Sequence, residues 1–309
     1  MAQPGLEGLR GRDNVSEIVT FELGPDHAPL TLLPEETERG KEVHANVLGA
    51  LRPTAYCVPG MDSGQLTRAV DDNPEEHFTY SNSLVRVAYQ EGRPVYLIGG
   101  HMPDILRDVG PDTLRKVNHW PRIIAAGTLV TMAAHMATPP KPETQTRRAF
   151  LKGSIVLGAA ATLYASFFPN GVGDDDIEER LARYSEEDLE TMVQWYKTLR
   201  GFSNLVLATK LTEVARLHGQ VEGEHVLALA PPHNDGLRRA LQISPGERDA
   251  LILDFLKNVV EPIAQAGSIS EEEYSYLLGV IGTFIEARPV QDSPTPQWEE
   301  TEHPAFALY

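Results

Sequence analysis

The sequence of 309 residues contains one cysteine, Cys57, so a disulfide within the chain is impossible and a cysteine-based zinc or iron–sulfur site is nearly excluded. Cys57 lies in the short apolar run Ala55–Val58, where a buried, unreactive thiol is expected. Lysine is also scarce, with seven lysines against 20 arginines, and the net charge is −17. Such a charge repels nucleic acid and anionic membrane surfaces, so the sequence predicts no nucleic-acid partner.

Several common catalytic signatures are absent. The chain has no GxSxG nucleophile elbow, no GxxxxGK[ST] phosphate loop and no HExxH zinc motif. Its first residues, MAQPGLEGLRGRDN, are polar and rich in glycine, and they predict no N-terminal secretory signal because an apolar core is missing.

Apolar strand patterns alternate with helical ones along most of the chain. This order predicts an α/β protein with a mixed central sheet and flanking helices. The predicted strands are Ser16–Leu23, Ala55–Val58, Pro94–Ile98 and Glu222–Ala230. The predicted helices are Glu38–Leu51, Tyr80–Tyr89, Ser185–Leu217, Gly246–Gln265 and Ile269–Ala287. Ser185-Glu-Glu-Asp and Ser270-Glu-Glu-Glu are predicted to open two of these helices as caps.

The middle of the chain differs from its two ends. Arg122–Thr138 and Phe150–Phe168 are apolar and rich in small residues, and a polar, basic connector joins them. The sequence therefore predicts an N-terminal half of the α/β domain, an inserted apolar helical hairpin, a C-terminal half with further helices, and a flexible tail. The corresponding bounds are 1–121, 122–170, 171–287 and 288–309.

The stretch Thr144–Phe168, TQTRRAFLKGSIVLGAAATLYASFF, has the pattern of a twin-arginine export signal, and three interpretations of it remain open. Export would require translation to begin nearby and would remove every early strand. Membrane attachment through 122–168 is compatible with the basic connector on the cytoplasmic face, but the two segments have only 17 and 19 residues, just under the ~20 that span a bilayer core. A buried helical pair is the interpretation that the lengths favour. The protein is accordingly expected in the cytoplasm or at the cytoplasmic face of a membrane.

Three histidines each follow a predicted strand. His27, His101 and His233 occupy these positions, with Asp26 and Asp235 close by in sequence. Because groups at the carboxyl ends of strands in an open α/β sheet converge on one crevice, these five residues are candidate ligands of a divalent metal through nitrogen and oxygen atoms. The identity of the metal is not specified by this pattern. The alternative is that loops simply tolerate histidine and that the three belong to different edges.

The order of these elements resembles the TraB/Tiki superfamily. The similarity lies in Gly24-x-x-His27 after a strand, Arg52-Pro53 before an apolar strand, the strand GRPVYLI from Gly92, the helix around Asn204, and EGEHVLALAPPHNDGL from Glu222. It covers most of residues 16–241 apart from the middle. The resemblance implies metal-dependent hydrolysis of peptide-like bonds, a peptide or protein substrate, and catalytic roles for His27 and His233.

The chain departs from the superfamily pattern at positions that matter for catalysis. Pro59 and Gly99 stand where the resemblance leads one to expect acidic residues, and proline and glycine side chains neither bind a metal nor act as a base. The second GxxH element reads Ala230-Pro-Pro-His233, without its glycine. The alternative function is therefore a catalytically degenerate binding or regulatory protein associated with the membrane.

Overall fold

The computed structural model describes residues 18–34, 51–59, 85, 87–98, 106, 109–116, 185–221, 223–230, 235–288 and 297–302. Contacts divide the chain into two units. The first comprises Met1–His101, Asn204–Asp249 and Tyr276–Tyr309, and the second comprises Met102–Ser203 and Ala250–Ser275. The inserted hairpin 122–170 and the predicted helix Glu38–Leu51, apart from Leu51 itself, lie outside the described residues.

The first unit contains a seven-stranded mixed sheet. The strands are β1 Val19–Phe21, β2 Leu30–Pro34, β3 Ala55–Pro59, β4 Val95–Ile98, β5 Val226–Ala230, β6 Thr283–Arg288 and β7 Gln297–Glu302. Their order in the sheet is β1-β2-β5-β3-β4-β6-β7. Strands β2, β5, β3 and β4 run parallel to one another, whereas the outer pairs β1–β2, β4–β6 and β6–β7 are antiparallel. The α/β class with a mixed central sheet is therefore confirmed.

The central parallel strands are covered on both faces. Every residue of β4 and of β5 is buried, which explains why their sequences, VYLI and VLALA, are continuous apolar runs rather than alternating ones. At about 25 cal/mol per Å² of apolar area removed from water, these strands supply much of the stabilisation of the first unit.

The helices are α1 Pro111–Lys116, α2 Glu186–Leu217, α3 Asp235–Gln242, α4 Pro245–Phe255, α5 Glu261–Gln265 and α6 Glu271–Gly282. A π-helical segment, Leu256–Val260, joins α4 to α5. Pro262 in the first turn of α5 has no N–H to donate to the carbonyl four residues earlier, so a widened turn is a natural route into that helix.

The predicted caps of α2 and α6 are confirmed. At the start of α2 the backbone N–H of Asp188 donates to Ser185 Oγ at 3.2 Å, and the N–H of Ser185 donates back to the Asp188 carboxylate at 3.1 Å. Ser270 and Glu273 make the same reciprocal pair before α6, at 3.1 and 2.6 Å. Each cap satisfies two backbone donors that would otherwise lack intrahelical partners.

The core of the second unit is aromatic. Phe255 of α4 stacks on Phe202 with ring centroids 4.1 Å apart and on Trp195 at 6.3 Å, the latter two residues belonging to α2. The indole N–H of Trp195 donates to the carbonyl of Leu106 at 2.8 Å. The buried ring is thus fixed both by stacking and by a satisfied donor.

Three strands differ from the sequence prediction. β2 was not among the predicted strands. β6 takes up the last residues, from Thr283, of the predicted helix Ile269–Ala287, since α6 ends at Gly282 and Thr283-Phe-Ile favours an extended backbone. β7 lies within the segment 288–309, predicted as a flexible tail, and pairs with β6 along its whole length.

The junction between α6 and β6 is held from two sides. Thr283 Oγ1 donates to the carbonyl of Gly279 at 2.8 Å, and the ammonium of Lys210 in α2 donates to the carbonyl of Thr283 at 2.5 Å. Burial lowers the pKa of Lys210 to about 8.

None of the helices in the described part of the chain combines the length and the apolar character that a membrane crossing needs.

Candidate functional site

The parallel strands give the sheet two distinct edges. Strands β2, β3, β4 and β5 end at one edge, here called the carboxyl edge, with Pro34, Pro59, Ile98 and Ala230 as their last residues. They begin at the opposite, amino edge. In parallel sheets the carboxyl edge is where ligand-binding groups normally gather, so it is the edge at which the predicted histidines are expected.

His27 lies at the amino edge instead. It follows β1, but β1 is antiparallel to β2, with Phe21 opposite Leu30. The connection from β1 therefore enters β2 at its beginning, and Leu30 is aligned with Val226, the first residue of β5. The strand before His27 therefore runs opposite to β2, β3, β4 and β5. That His27 shares a crevice with His101 and His233 stays a prediction, because the latter two lie outside the described residues.

The register gives the distance between the two edges. Leu30, three residues after His27, is aligned with Val226, and the five residues of β5 span about 13 Å at the usual rise per residue. His101 and His233 themselves lie outside the described residues, and so does Gly99. The strands that lead to His101 and His233 both end at the carboxyl edge.

The two aspartates also separate. Asp26 is exposed in the turn before His27, at the amino edge. Asp235 is the exposed first residue of α3, which follows β5 and so begins after the carboxyl edge. Within the described ranges, no group of three or more histidine, cysteine or acidic side chains is placed to hold a metal ion.

The backbone around His27 is docked on the end of α2. The N–H of His27 donates to the carbonyl of Gly24 at 3.2 Å, and the N–H of Ala28 donates to the carbonyl of Ala215 at 2.8 Å. Gly219 touches the chain here so closely that a Cβ atom would lie 2.1 Å from the carbonyl oxygen of Asp26. Only glycine permits this approach. His27 Nδ1 is buried and has no hydrogen-bond partner among the residues that the structure describes.

A second polar group at this end of the molecule comes from the turn after α2. His218 Nδ1 lies 2.9 Å from Glu224 Oε2, and His218 Nε2 lies 2.8 Å from the hydroxyl oxygen of Tyr96. The two rings meet edge to face. A carboxylate, an imidazole and a phenol are thus connected in a row, which orients the imidazole and permits proton exchange along the row. Since Tyr96 is only 3% exposed, the row joins α2 to β4 rather than presenting a nucleophile to solvent.

The other histidine of the amino edge, His225, is 5% exposed and directly precedes β5. Its Nε2 shares a hydrogen bond of 2.8 Å with Thr31 Oγ1, which in turn bonds Thr20 Oγ1 at 2.8 Å. Its backbone N–H donates to Thr54 Oγ1 at 2.9 Å. Burial lowers the pKa of His225 to about 4. The imidazole is therefore neutral near pH 7 and ties β1, β2 and β3 to β5.

At the carboxyl edge the described contacts are steric. Gly236, the second residue of α3, faces the side chain of Asn204 in α2, and a Cβ atom there would lie 2.3 Å from Asn204 Nδ2. Asn204 lies in the helix, and Gly236 at the helix start, on which the resemblance to the TraB/Tiki superfamily partly rests. The sequence reasoning did not anticipate their contact, although a glycine at a second helical position is a pattern that could have suggested it.

Sequence reasoning also missed β2 as the strand that delivers residues to the carboxyl edge. Its last residue is Pro34, and the sequence continues with Glu35-Glu36 outside the described residues.

Cys57 is buried in β3, as expected, and burial raises the pKa of its thiol. Such a thiol is protonated and unreactive at neutral pH.

Comparison of the chain with protein-family models, with curated proteins and with solved structures returns no match.

Proposed function

We propose that this protein binds a peptide or protein segment at the carboxyl edge of its sheet, as a catalytically degenerate relative of the TraB/Tiki superfamily. The observation that carries this proposal is the direction of β1, which leaves His27 at the amino edge. A hydrolytic centre built on His27 and His233 would need both imidazoles within a few ångströms of one metal ion. The geometry of the described strands opposes that arrangement.

The carboxyl edge has the features of a binding surface. Four parallel strands end there, and β2 and β3 both end in proline, which fixes the backbone angle and offers no N–H. The close contact of Gly236 with Asn204 sets where α3 begins beside this edge. A rigid rim with strand ends and a helix start is the usual location of ligand sites in α/β folds.

Metal-dependent hydrolysis is the second candidate. It is favoured by the positions of β4 and β5, which end at the same edge and are separated only by β3, about 10 Å apart. His101 and His233 follow these strands, and Asp235 begins α3, so a two-histidine site without His27 has the right topology. Pro59 at the end of β3 supplies no carboxylate to it.

One experiment separates the two candidates. Fluorescein-labelled casein peptides are incubated with the purified full chain, with and without added zinc or manganese, and both binding anisotropy and cleavage are measured. Degenerate binding predicts an anisotropy increase, no cleavage and no stoichiometric metal in the purified protein. Cleavage that is lost in His233→Ala and kept in His27→Ala would establish the second candidate. Absence of both binding and cleavage contradicts the proposal.

A matched pair of variants replaces a glycine by alanine at the second residue of a helix, in α3 and in α4. Gly236→Ala introduces a clash with Asn204 at the start of α3, whereas Gly246→Ala changes the second residue of α4, where the added Cβ meets open space. We expect weaker peptide binding in Gly236→Ala and unchanged binding in Gly246→Ala. Equal binding in the two variants would place the peptide elsewhere on the protein.

For localisation, we propose peripheral association with the cytoplasmic face of a membrane through 122–168. The support is the basic connector between the two apolar segments, since lysine and arginine are enriched on the cytoplasmic side of membranes. Fractionation of cells that express the full chain tests it. Association with membranes that high salt or carbonate removes is the expected result, and full recovery in the soluble fraction at low salt contradicts it.

A further inference from the structure

Arg248 is a buried cation with most of its donors unused. It lies in the first turn of α4 and is 1% exposed. Its Nη2 donates to Thr212 Oγ1 of α2 at 2.7 Å. Its Nε and Nη1 are also buried, and neither has a hydrogen-bond partner in the described part of the chain. A guanidinium carries five N–H bonds, of which Nε and Nη1 hold three.

The neighbouring carboxylate does not pair with it. Asp249 follows Arg248 in sequence, yet its Oδ1 is itself buried and has no donor among the described residues. Burial lowers the pKa of Arg248 to about 10, and Asp249 opposes that shift only in part, so the guanidinium remains charged at neutral pH. Buried donors and acceptors without partners are costly and rare in proteins. A buried cation and a buried carboxylate oxygen, both without partners and on consecutive residues, therefore call for a ligand that serves both.

The turn that precedes Arg248 is exposed to solvent. Ser244, Pro245, Gly246 and Glu247 are all exposed, and Gly246 has open space where its Cβ would be. The N–H of Arg248 bonds the carbonyl of Ser244 within the same turn. The beginning of α4 also carries the partial positive charge of a helix N-terminus, which favours an anion.

We propose that Arg248, Thr212 and Asp249 form a binding site for a small oxyanion that carries a hydroxyl group, of which hydrogen phosphate is the representative. The anion accepts hydrogen bonds from Arg248 Nε and Nη1, and its hydroxyl donates to Asp249 Oδ1. The site opens by movement of the first turn of α4 and closes over the bound anion. It is separate from the carboxyl edge, where β5 ends before α3 begins.

The donors and acceptors of the site select among anions. Chloride and sulfate accept hydrogen bonds but have no proton to give at neutral pH, so each would leave the Asp249 carboxylate facing a negative charge. Hydrogen phosphate offers both functions. A hydrogen bond between charged groups is worth enough for about a tenfold difference in affinity, so phosphate is expected to bind at least about ten times more tightly than sulfate.

The test is calorimetric titration of the full chain with inorganic phosphate, sulfate and chloride at equal ionic strength, together with the melting temperature in each salt. Glycerol 3-phosphate forms a separate arm, which distinguishes a phosphomonoester from free phosphate as the source of the group. Wild-type protein is expected to bind phosphate in preference to sulfate and to melt at a higher temperature in phosphate. Hydrogen exchange of the first turn of α4 is expected to slow when phosphate binds.

Three variants make the test decisive. Arg248→Met should abolish phosphate binding, while Arg216→Met removes the same charge from a guanidinium already paired with Glu213 and should retain it. Asp249→Asn replaces the carboxylate with a neutral amide whose NH₂ group can donate to the anion. The anion preference of this variant should therefore change in favour of sulfate. If Arg248→Met does not fold, this reversal alone decides. Equal effects of phosphate and sulfate on wild type and Asp249→Asn, or no binding of any anion, would overturn the proposal.

Discussion

The two edges of the sheet differ in what holds them together. At the amino edge, side chains bond one another across strands: His225 reaches Thr31, and Glu224, His218 and Tyr96 form a row. At the carboxyl edge, the described strands end in proline, isoleucine or alanine, and Gly236 leaves no room for a Cβ atom beside the Asn204 amide. The amino edge is therefore a structural joint, and the carboxyl edge is the one whose form suits a ligand.

This contrast also explains why histidine alone is a poor guide to function here. His218 and His225 lie at the amino edge and are engaged in hydrogen bonds that join secondary-structure elements. Their chemistry is used for stability. Substitutions at the amino edge should consequently change the unfolding free energy alone, whereas those at the carboxyl edge should affect binding as well.

The largest effect is expected for Gly219→Ala. The new Cβ would lie 2.1 Å from the backbone oxygen of Asp26 and 2.6 Å from the Cα of His27, and backbone atoms held by the bond from Ala28 to Ala215 cannot rotate away. We expect a loss of about 4 kcal/mol in unfolding free energy, measured by urea denaturation. Gly223→Ala is the control in the same turn: it meets open space, and its φ of +87° adds only about 1 kcal/mol of strain. Equal losses would contradict the docking of this loop on α2.

The second effect is the pH dependence caused by His225. Its pKa falls from 6.5 to about 4 on folding, so the unfolded chain binds the proton more readily. The unfolding free energy is therefore unaffected by His225 protonation above about pH 6.5. It decreases as the pH falls from there towards 4, by up to about 3 kcal/mol.

His225→Gln tests this origin. Glutamine can still bond Thr31 but does not titrate, so the decline in stability between pH 6.5 and 4 should become shallower than in wild type. Urea denaturation at a series of pH values measures both slopes. An unchanged slope would mean that other groups cause the pH dependence.

The comparison of edges also shows what the sequence could and could not predict. Helix α2 was predicted almost to the residue, and its cap at Ser185 and Asp188 was correct, because both the apolar period and the capping pattern are local. The apolar runs of β3, β4 and β5 were found for the same reason. Local sequence contains the information that a segment is a strand.

Strand direction is not local, and it decides at which edge of the sheet His27 lies. The connection from Phe21 to Leu30 is too short for a parallel crossover and indicates an antiparallel pair, but only once β2 is recognised as a strand. Without β2, the edge on which His27 lies could not be derived. β2 itself was missed, because five residues ending in proline resemble a loop. β6 was missed because it continues from α6 without a turn, so that the apolar pattern passes from one element into the next.

The third effect concerns the carboxyl edge. Gly236→Ala is expected to cost about 1.5 kcal/mol, less than Gly219→Ala, because the clashing Asn204 amide is the end of a side chain that can rotate. In an Asn204→Ala background the cost should fall below about 0.5 kcal/mol, a coupling that a double-mutant cycle measures. Gly246→Ala should be neutral or slightly stabilising. A cost that persists without Asn204 would show that α3 is positioned by something else.

The smallest effect belongs to the row at the amino edge. Tyr96→Phe removes the hydroxyl that bonds His218 at 2.8 Å and should cost about 1 kcal/mol. Tyr56→Phe is the matched control: its hydroxyl donates to Glu91 over a longer 3.2 Å, so about half that loss is expected. In a His218→Ala background the Tyr96→Phe loss should shrink, while the Tyr56→Phe loss should remain, because only Tyr96 contacts the imidazole. If Tyr96→Phe and Tyr56→Phe lower the unfolding free energy equally in either background, the row does not act as a unit. The amino edge is then held by apolar packing and the His225 network alone.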